Sequence, residues 1–138
     1  MARIIYAEDD ELVAELVQAT LIDAGHAVGV VKNGREALEV VRLRRPDLLI
    51  LDISMPEMTG SQVLDQLRVD EELYDLPVLM LTARRSQTEE DIALKAGATE
   101  YLRKPFDPDQ LVVTVSALLA KAAAARSQAR PEAPYRKI

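Results

Sequence analysis

The sequence predicts a doubly wound α/β fold, in which a parallel β-sheet carries helices on both faces. Five short apolar runs alternate along the chain with five longer stretches of helical period. The runs are continuous rather than alternating in polarity, which is typical of strands buried on both faces of a parallel sheet. Strict alternation of strand and helix implies right-handed crossovers, and these place helices on both sides of the sheet.

The five predicted strands are short and almost wholly apolar. They comprise residues 4–7, 28–31, 48–51, 78–81 and 101–102. The stretches between them carry apolar residues at helical spacing, so each stretch offers one stripe to the core. The stripes are Leu12, Val13, Leu16, Val17 and Leu21 in the first helix; Ala37, Leu38 and Val41 in the second; Val63, Leu64 and Leu67 in the third; Ile92, Ala93 and Ala96 in the fourth; and Leu111, Val115, Leu118 and Leu119 in the fifth.

Capping residues support these helix positions. A short polar side chain before a helix accepts hydrogen bonds from its first N–H groups, and glycine commonly follows the last turn. Proline suits the first helical position, where its missing N–H costs nothing. The predicted caps are Asp10 for the first helix, Asn33 for the second, Thr88 before and Gly97 after the fourth, and Asp107 for the fifth, where Pro108 and Gln110 complete a capping box.

Composition narrows the chemistry that the chain can perform. Its 138 residues fit one domain, and no window approaches the ~20 apolar residues that a membrane span needs. The absence of cysteine excludes disulfides, thiolate metal sites and cysteine nucleophiles, and a single histidine, His26, cannot form a histidine-rich metal site. Carboxylates, hydroxyls and amines remain, and these groups suit hard cations and phosphate.

Charge and the N-terminal segment bear on partners and location. The formal net charge is −6, and an acidic domain argues against direct binding of nucleic acid. Basic residues concentrate from residue 121 onward, in a tail too short to form a module that reads nucleic acid. The N-terminal segment lacks the zones of a signal peptide, so we expect a soluble, cytoplasmic protein that does not contact the membrane.

Polar side chains follow four of the five predicted strands at the point where each strand ends. Glu8 and Asp9 follow the first strand, Asp52 the third, Thr82 the fourth and Lys104 the fifth. The carboxyl ends of parallel strands meet at one edge of the sheet, where doubly wound proteins bind their ligands. One polar residue after a strand is ordinary loop composition, but the agreement of four strand ends predicts a functional site.

Three carboxylates at this edge require a cation. Two carboxylates ~5 Å apart repel each other by ~3 kcal/mol at an effective dielectric constant of about 20. Few protein ligands and room for water favour Mg²⁺ over Ca²⁺. Lys104 adds a point charge suited to a phosphoryl oxygen, Thr82 adds a hydroxyl donor, and an aspartate beside a metal can act as a nucleophile. These residues predict phosphoryl transfer through an aspartyl phosphate.

Four segments of the chain resemble the signature segments of the response-regulator receiver family. They read YAEDDE, LLILDISMPEMTG, VLMLTAR and ATEYLRKPFD. The separations of 43, 30 and 22 residues that lead from Asp9 to Asp52, Thr82 and Lys104 match the layout of that family. The resemblance covers residues 2 to about 121 and rests on four motifs in order, whereas a single motif would carry little weight.

The resemblance implies the flavodoxin-like version of the fold, with strand order 2-1-3-4-5. It implies that Asp52 is the phosphorylated residue, assisted by Lys104 and Thr82. Thr82 and Tyr101 correspond to the switch pair of the family, and the bond before Pro105 is cis in relatives, which costs an X-Pro bond little. The Mg²⁺ ligands that the resemblance implies are Glu8, Asp9, Asp52 and the backbone carbonyl of Ser54.

These features lead us to expect a single-domain signalling switch that catalyses only its own phosphorylation and dephosphorylation. Residues 1–121 would form the receiver domain, and residues 122–138 a helix extension to about residue 126 followed by a disordered basic tail. A sensor histidine kinase or a phosphotransfer protein would supply the phosphoryl group. A downstream protein would bind the face made by the fourth helix, fifth strand and fifth helix, and the apolar content does not decide between a monomer and a homodimer.

Two alternatives share the same fold. A pseudo-receiver scaffold binds partners without phosphorylation and would be expected to lack a site residue, whereas all of them are present here. A magnesium-dependent phosphatase of the haloacid-dehalogenase type also uses an aspartate nucleophile. Its Asp-x-Asp pattern places a second aspartate where this chain has Ser54.

Overall fold

Five parallel strands form one sheet in the order β2-β1-β3-β4-β5. The computed structural model describes residues 1–53, 55–82 and 97–129 of the chain. The strands are β1 (Arg3–Ala7), β2 (Ala27–Val31), β3 (Leu48–Asp52), β4 (Val78–Thr82) and β5 (Glu100–Arg103). The described helices are α1 (Glu11–Asp23), α2 (Gly34–Leu43), α3 (Gly60–Arg68) and a C-terminal helix (Pro108–Ala129).

The sheet confirms the predicted architecture and strand order. Each predicted strand is present and is longer by one residue at one end or, in β5, at both ends, because the backbone ladder does not require an apolar side chain. Ala7 at the end of β1 pairs with Val31 of β2 and Leu51 of β3, and Asp52 pairs with Leu81 of β4. All carboxyl ends therefore lie at one edge of the sheet. The strand order reverses between β1 and β3, which is where ligands bind in such sheets.

Two apolar layers cover the faces of the sheet. One layer joins Ile4 and Tyr6 of β1 to α1 and the C-terminal helix, and we call it the α1-side core. The other joins Ile5 and Ala7 of β1 to α2 and α3, and we call it the α2-side core. Successive residues of a strand point to opposite faces, so β1, β3 and β4 are buried on both sides, as their continuous apolar runs predicted.

The apolar stripe predicted for α1 is partly wrong. Leu12 is 79% exposed and Leu16 is 65% exposed, whereas Ala14, Val17 and Leu21 are buried against the sheet. Leu12 and Leu16 each lie two positions from Ala14, which is more than half a turn around a helix of 3.6 residues per turn. Hydropathy favours leucine over alanine, but the small Ala14 side chain is the one that faces the sheet.

Capping residues hold the helices at the predicted positions. The Asp10 carboxylate accepts hydrogen bonds from the N–H groups of Leu12 and Val13, at 3.0 and 3.1 Å. Asn33 caps α2 through the N–H of Glu36 at 2.9 Å. The α3 helix has a capping box between Thr59 and Gln62, which was not among the predicted caps.

The C-terminal helix begins where the sequence predicted and ends a few residues later than expected. The C-terminal helix begins at Pro108, and the Asp107 carbonyl accepts the N–H of Leu111 at 3.1 Å. It continues to Ala129 rather than to about residue 126. The predicted fourth helix with its Thr88 cap, and the tail from residue 130, lie outside the described residues. No helix in the described ranges is long and apolar enough to cross a membrane.

Arg68, at the end of α3, forms hydrogen bonds to the segments that precede β4 and β5. Its guanidinium donates hydrogen bonds to the carbonyls of Tyr74 and Leu76 at 2.8 Å each, and to the carbonyl of Gly97 at 2.6 and 2.9 Å. Gly97 has a φ of 105°, a conformation that favours glycine. Burial lowers the pKa of Arg68 from its ordinary value. The arginine thereby fixes the turn from which β5 starts.

Candidate functional site

Three carboxylates converge at the carboxyl edge of the sheet. Glu8 and Asp9 follow β1, Asp52 ends β3, and one oxygen from each lies within 4.8 Å of the others. Glu8 is only 3% exposed and Asp52 only 6%, whereas Asp9 is open to solvent. The carboxylates predicted at the ends of β1 and β3 therefore form a compact acidic cluster, and Asp9 leaves one side of it open to solvent.

The strand geometry explains why these groups meet. Since β1 and β3 are neighbours, their ends bring Glu8 and Asp52 to the same edge. The α3 helix begins beside this edge because Gly60 permits a close approach. A Cβ atom at Gly60 would lie 2.9 Å from the Asp52 carbonyl oxygen, so any side chain there would displace the end of β3 or the start of α3.

Lys104 directly follows β5, the last strand in the sheet order, and its side chain reaches the acidic cluster. Its Nζ atom lies 3.1 Å from Glu8 Oε1 and 3.5 Å from Asp52 Oδ1. The peptide bond between Lys104 and Pro105, directly after β5, is cis, as the resemblance implied. Three carboxylates thus face one ammonium group among the described residues, which leaves negative charge for a further cation to offset.

Glu8 is held by two further hydrogen bonds. The Tyr6 hydroxyl donates to Glu8 Oε1 at 2.9 Å, and the backbone N–H of Asp10 approaches Oε2 at 3.3 Å. Burial, followed by the negative charge of Glu8, raises the pKa of Tyr6 above its ordinary value, so its hydroxyl keeps its proton and remains a donor.

Sequence reasoning counted Tyr6 only as part of an apolar run. The available signal was the two-residue period of a strand: Glu8, directly after β1, lies two residues beyond Tyr6, so both side chains are expected on the same face of the sheet. A tyrosine at that spacing places a hydroxyl beneath the carboxylate. What the strand pattern alone did not reveal was whether the hydroxyl reaches Glu8 or a backbone carbonyl.

The remaining predicted site residues are described only in part. Thr82 ends β4 and pairs with Arg103, while its side chain and all of Ser54 lie outside what the structure describes. Tyr101 on β5 is half-buried and packs against the α2-side core. The assignment of Thr82 and Tyr101 as a switch pair therefore stays a prediction.

The chemical capacity of the cluster follows from its donors. Carboxylate oxygens are ligands for hard cations such as Mg²⁺, which retains several waters and needs few protein groups. The exposed Asp9 leaves one side of the cluster open to solvent. An aspartate between a cation site and a lysine is placed to act as a nucleophile toward an electrophilic phosphorus.

Comparison with known proteins agrees with this geometry. The sequence profile of the "Response regulator receiver domain" family matches residues 4–116. The response regulator MprA of Mycobacterium leprae is 44% identical over 117 residues, covering 85% of this chain and 50% of that protein. MprA of Mycolicibacterium vanbaalenii is 42% identical with the same coverage. The chain thus spans about half the length of these curated relatives.

Solved structures resemble the fold closely. A putative response regulator from Chloroflexus aurantiacus superposes with a TM-score of 0.84 at 35% identity, covering 86% of this chain and 98% of that chain. The chemotaxis protein CheY4 of Vibrio cholerae gives a TM-score of 0.80 at 35% identity, again with coverages of 86% and 98%. Both neighbours are similar to this chain over nearly their whole length. The chain therefore belongs to the response-regulator receiver domain family, whose members are phosphorylation-accepting signalling switches of two-component systems.

Proposed function

We propose that Asp52 accepts a phosphoryl group from a sensor histidine kinase or a phosphotransfer protein, in a reaction that depends on Mg²⁺. One observation carries the proposal. Asp52 is the carboxylate that ends a central strand within reach of both acids, Glu8 and Asp9, and also lies 3.5 Å from Lys104 Nζ. A nucleophile, a place for a cation and a fixed positive charge are thereby brought together.

The proposed step is a displacement at phosphorus. A carboxylate oxygen of Asp52 forms a bond to phosphorus while the bond from phosphorus to the donor breaks, and the donor leaves with that electron pair. Lys104 binds a transferred oxygen and stabilises the charge on it, because its ammonium group already lies beside Asp52. Bound Mg²⁺ supplies the further positive charge that this transfer requires.

The ligands proposed for Mg²⁺ are those of the acidic cluster. Asp9 and Asp52 contribute carboxylate oxygens, and Glu8 contributes to the same pocket while it is held by Lys104. The backbone carbonyl of Ser54 is proposed as a further ligand from the family resemblance alone. The solvent-exposed position of Asp9 suits a cation that keeps water in its coordination sphere.

The output proposed for the domain is a change in protein binding. From the family resemblance alone, we propose that Thr82 and Tyr101 link the site to the surface that includes β5 and the C-terminal helix. A local charge that biases two states of this surface is sufficient for a switch. Binding of a protein rather than nucleic acid by this domain is proposed from the net charge of −6, and a receiver boundary near residue 121 is proposed with it.

Phosphorylation by a small donor tests the assignment of Asp52. The protein is incubated with acetyl phosphate and Mg²⁺, and the adduct is located by mass spectrometry. We expect a single phosphoryl adduct on Asp52, its loss in Asp52→Asn, and normal labelling in Asp65→Asn. Asp65 is the matched control because it is an exposed aspartate on α3 outside the acidic cluster.

Two outcomes would contradict the proposal. Equal labelling of Asp52→Asn and the unmodified protein would place the acceptor elsewhere. Absence of labelling in the unmodified protein, both with acetyl phosphate and with phosphorylated histidine kinases, would favour the pseudo-receiver scaffold.

A further inference from the structure

Tyr6 and Lys104 donate to the same oxygen atom of Glu8. The Tyr6 hydroxyl lies 2.9 Å from Oε1, and Lys104 Nζ lies 3.1 Å from it. A carboxylate oxygen has two lone pairs, so these two donors occupy Oε1 fully. Neither donor can strengthen its bond to Oε1 without taking electron density from the other.

Lys104 is shared between two acids that have different tasks. Its distance to Asp52 Oδ1 is 3.5 Å, longer than its distance to Glu8 Oε1. In the proposed function the ammonium group must serve Asp52 and the incoming phosphoryl group. If Glu8 binds Lys104 more strongly, the ammonium group lies farther from Asp52 and stabilises negative charge there less.

We propose that Tyr6 is a positioning residue that weakens the hold of Glu8 on Lys104, so that the ammonium group remains available to Asp52. This inference rests on the proposed function of Asp52. The hydroxyl occupies one lone pair of Oε1 and spreads its negative charge, and Lys104 therefore remains divided between the two acids. No direct contact between Tyr6 and the reacting atoms is required.

The position of Tyr6 supports a specific role for its hydroxyl. The side chain is fully buried in the α1-side core among aliphatic groups, where phenylalanine or leucine would pack without a polar atom. A buried hydroxyl needs an acceptor, and this one is directed at a site carboxylate that is itself 3% exposed. Since water has little access to Glu8, the bond from Tyr6 cannot be replaced readily by solvent.

Tyr6→Phe tests the proposal because it removes the hydroxyl and keeps the ring in the core. Tyr74→Phe is the matched control, since Tyr74 is exposed and lies in the loop between α3 and β4. The first measurement is the NMR signal of the Lys104 ammonium group in the unphosphorylated protein. We expect a shifted signal and slower exchange of its protons with water in Tyr6→Phe, and no change in Tyr74→Phe.

The second measurement is the rate of labelling by acetyl phosphate. Because Tyr6 acts on Asp52 only through Glu8 and Lys104, a part of the free energy of its hydrogen bond reaches the reaction, and we expect labelling roughly three- to tenfold slower in Tyr6→Phe. Adding Tyr6→Phe to Glu8→Gln should leave the Lys104 signal of Glu8→Gln unchanged, because a neutral amide does not compete for the ammonium group as a carboxylate does.

The outcomes separate this inference from the function on which it rests. An unchanged Lys104 signal in folded Tyr6→Phe overturns the inference even if Asp52 is labelled normally. An equal change in the Glu8→Gln background also overturns it, since Tyr6 would then act by another route. If the unmodified protein is not labelled while the Lys104 signal responds to Tyr6→Phe, the function of Asp52 fails and the contact between Tyr6, Glu8 and Lys104 stands.

Discussion

The two edges of the sheet handle charge in opposite ways. At the amino edge, Arg3 donates to the carbonyls of Arg44 and Arg45, and its own N–H donates to Asp47 at 2.8 Å. Arg45 pairs with Asp75 at 3.0 Å. The Arg3 and Arg45 side chains thus bind backbone carbonyls and a carboxylate in exposed contacts at this edge. At the carboxyl edge, three carboxylates face one ammonium group among the described residues.

This contrast separates surface charges that have little effect on stability from the charges that form the candidate site. Exposed, balanced pairs contribute little to stability and can be lost at small cost. A buried, unbalanced cluster destabilises the folded chain until a ligand offsets its charge. The same strands supply both edges, so the contrast lies in the residues at their ends rather than in the sheet. Substitutions at the two edges should therefore differ in their effects on stability and on the labelling of Asp52.

Replacement of the lysine at the carboxyl edge is expected to have the largest effect. Lys104→Met removes the one described cation from the cluster, and we expect labelling by acetyl phosphate to fall about a hundredfold, as for the loss of one donor to transition-state charge. The free energy of unfolding without metal should fall by about 2 kcal/mol, below the usual cost of breaking a buried pair because the Lys104 side chain is 23% exposed. Kinetics and urea unfolding measure the two effects.

Substitutions of Asp9 and Asp10, the neighbouring acids after β1, should have opposite effects on stability and on the response to Mg²⁺. Asp9→Ala removes a carboxylate from the cluster, so it should not destabilise the metal-free protein but should shrink the stabilisation by Mg²⁺. Asp10→Ala removes the α1 cap, costing about 1 kcal/mol, and should keep the response to Mg²⁺. Thermal unfolding with and without Mg²⁺ measures both. If Asp10→Ala abolished the response while Asp9→Ala retained it, the assignment of the metal ligand would be wrong by one residue.

The smallest effect is expected at the amino edge. Arg45→Met is the counterpart of Lys104→Met, but the Arg45 and Asp75 side chains are 36% and 60% exposed. We expect a loss of less than about 1 kcal/mol in the free energy of unfolding, and a labelling rate equal to that of the unmodified protein. A large fall in the labelling rate of Arg45→Met would show that the two edges are coupled and would contradict this expectation.

Local patterns predicted the frame of this protein for a physical reason. Burial on both faces demands continuous apolar runs, and these identified β1, β3 and β4. Apolar runs also identified β2 and β5, but these are edge strands and only partly buried, so the expected burial on both faces was wrong for them. The stripes of α2 and α3 were also correct, because polar residues flank them and leave only one apolar face. In α1, by contrast, apolar residues surround much of the helix, and the pattern could not tell that Ala14 rather than Leu12 faces the sheet.

The residue types of the acidic cluster, and the strand ends that carry them, could also be predicted from the sequence. Carboxyl ends of parallel strands must meet, so the cluster of Glu8, Asp9 and Asp52 followed once the strands were known. The contacts that Lys104 makes with Glu8 and Asp52 could not be predicted in this way, because they depend on the folded chain. Lys104 is 96 residues from Glu8 in the chain, and no local pattern encodes that its ammonium group shares one carboxylate oxygen with the hydroxyl of Tyr6. That arrangement depends on the packing of separate strands, since hydrogen bonds form between atoms that folding brings within about 3 Å.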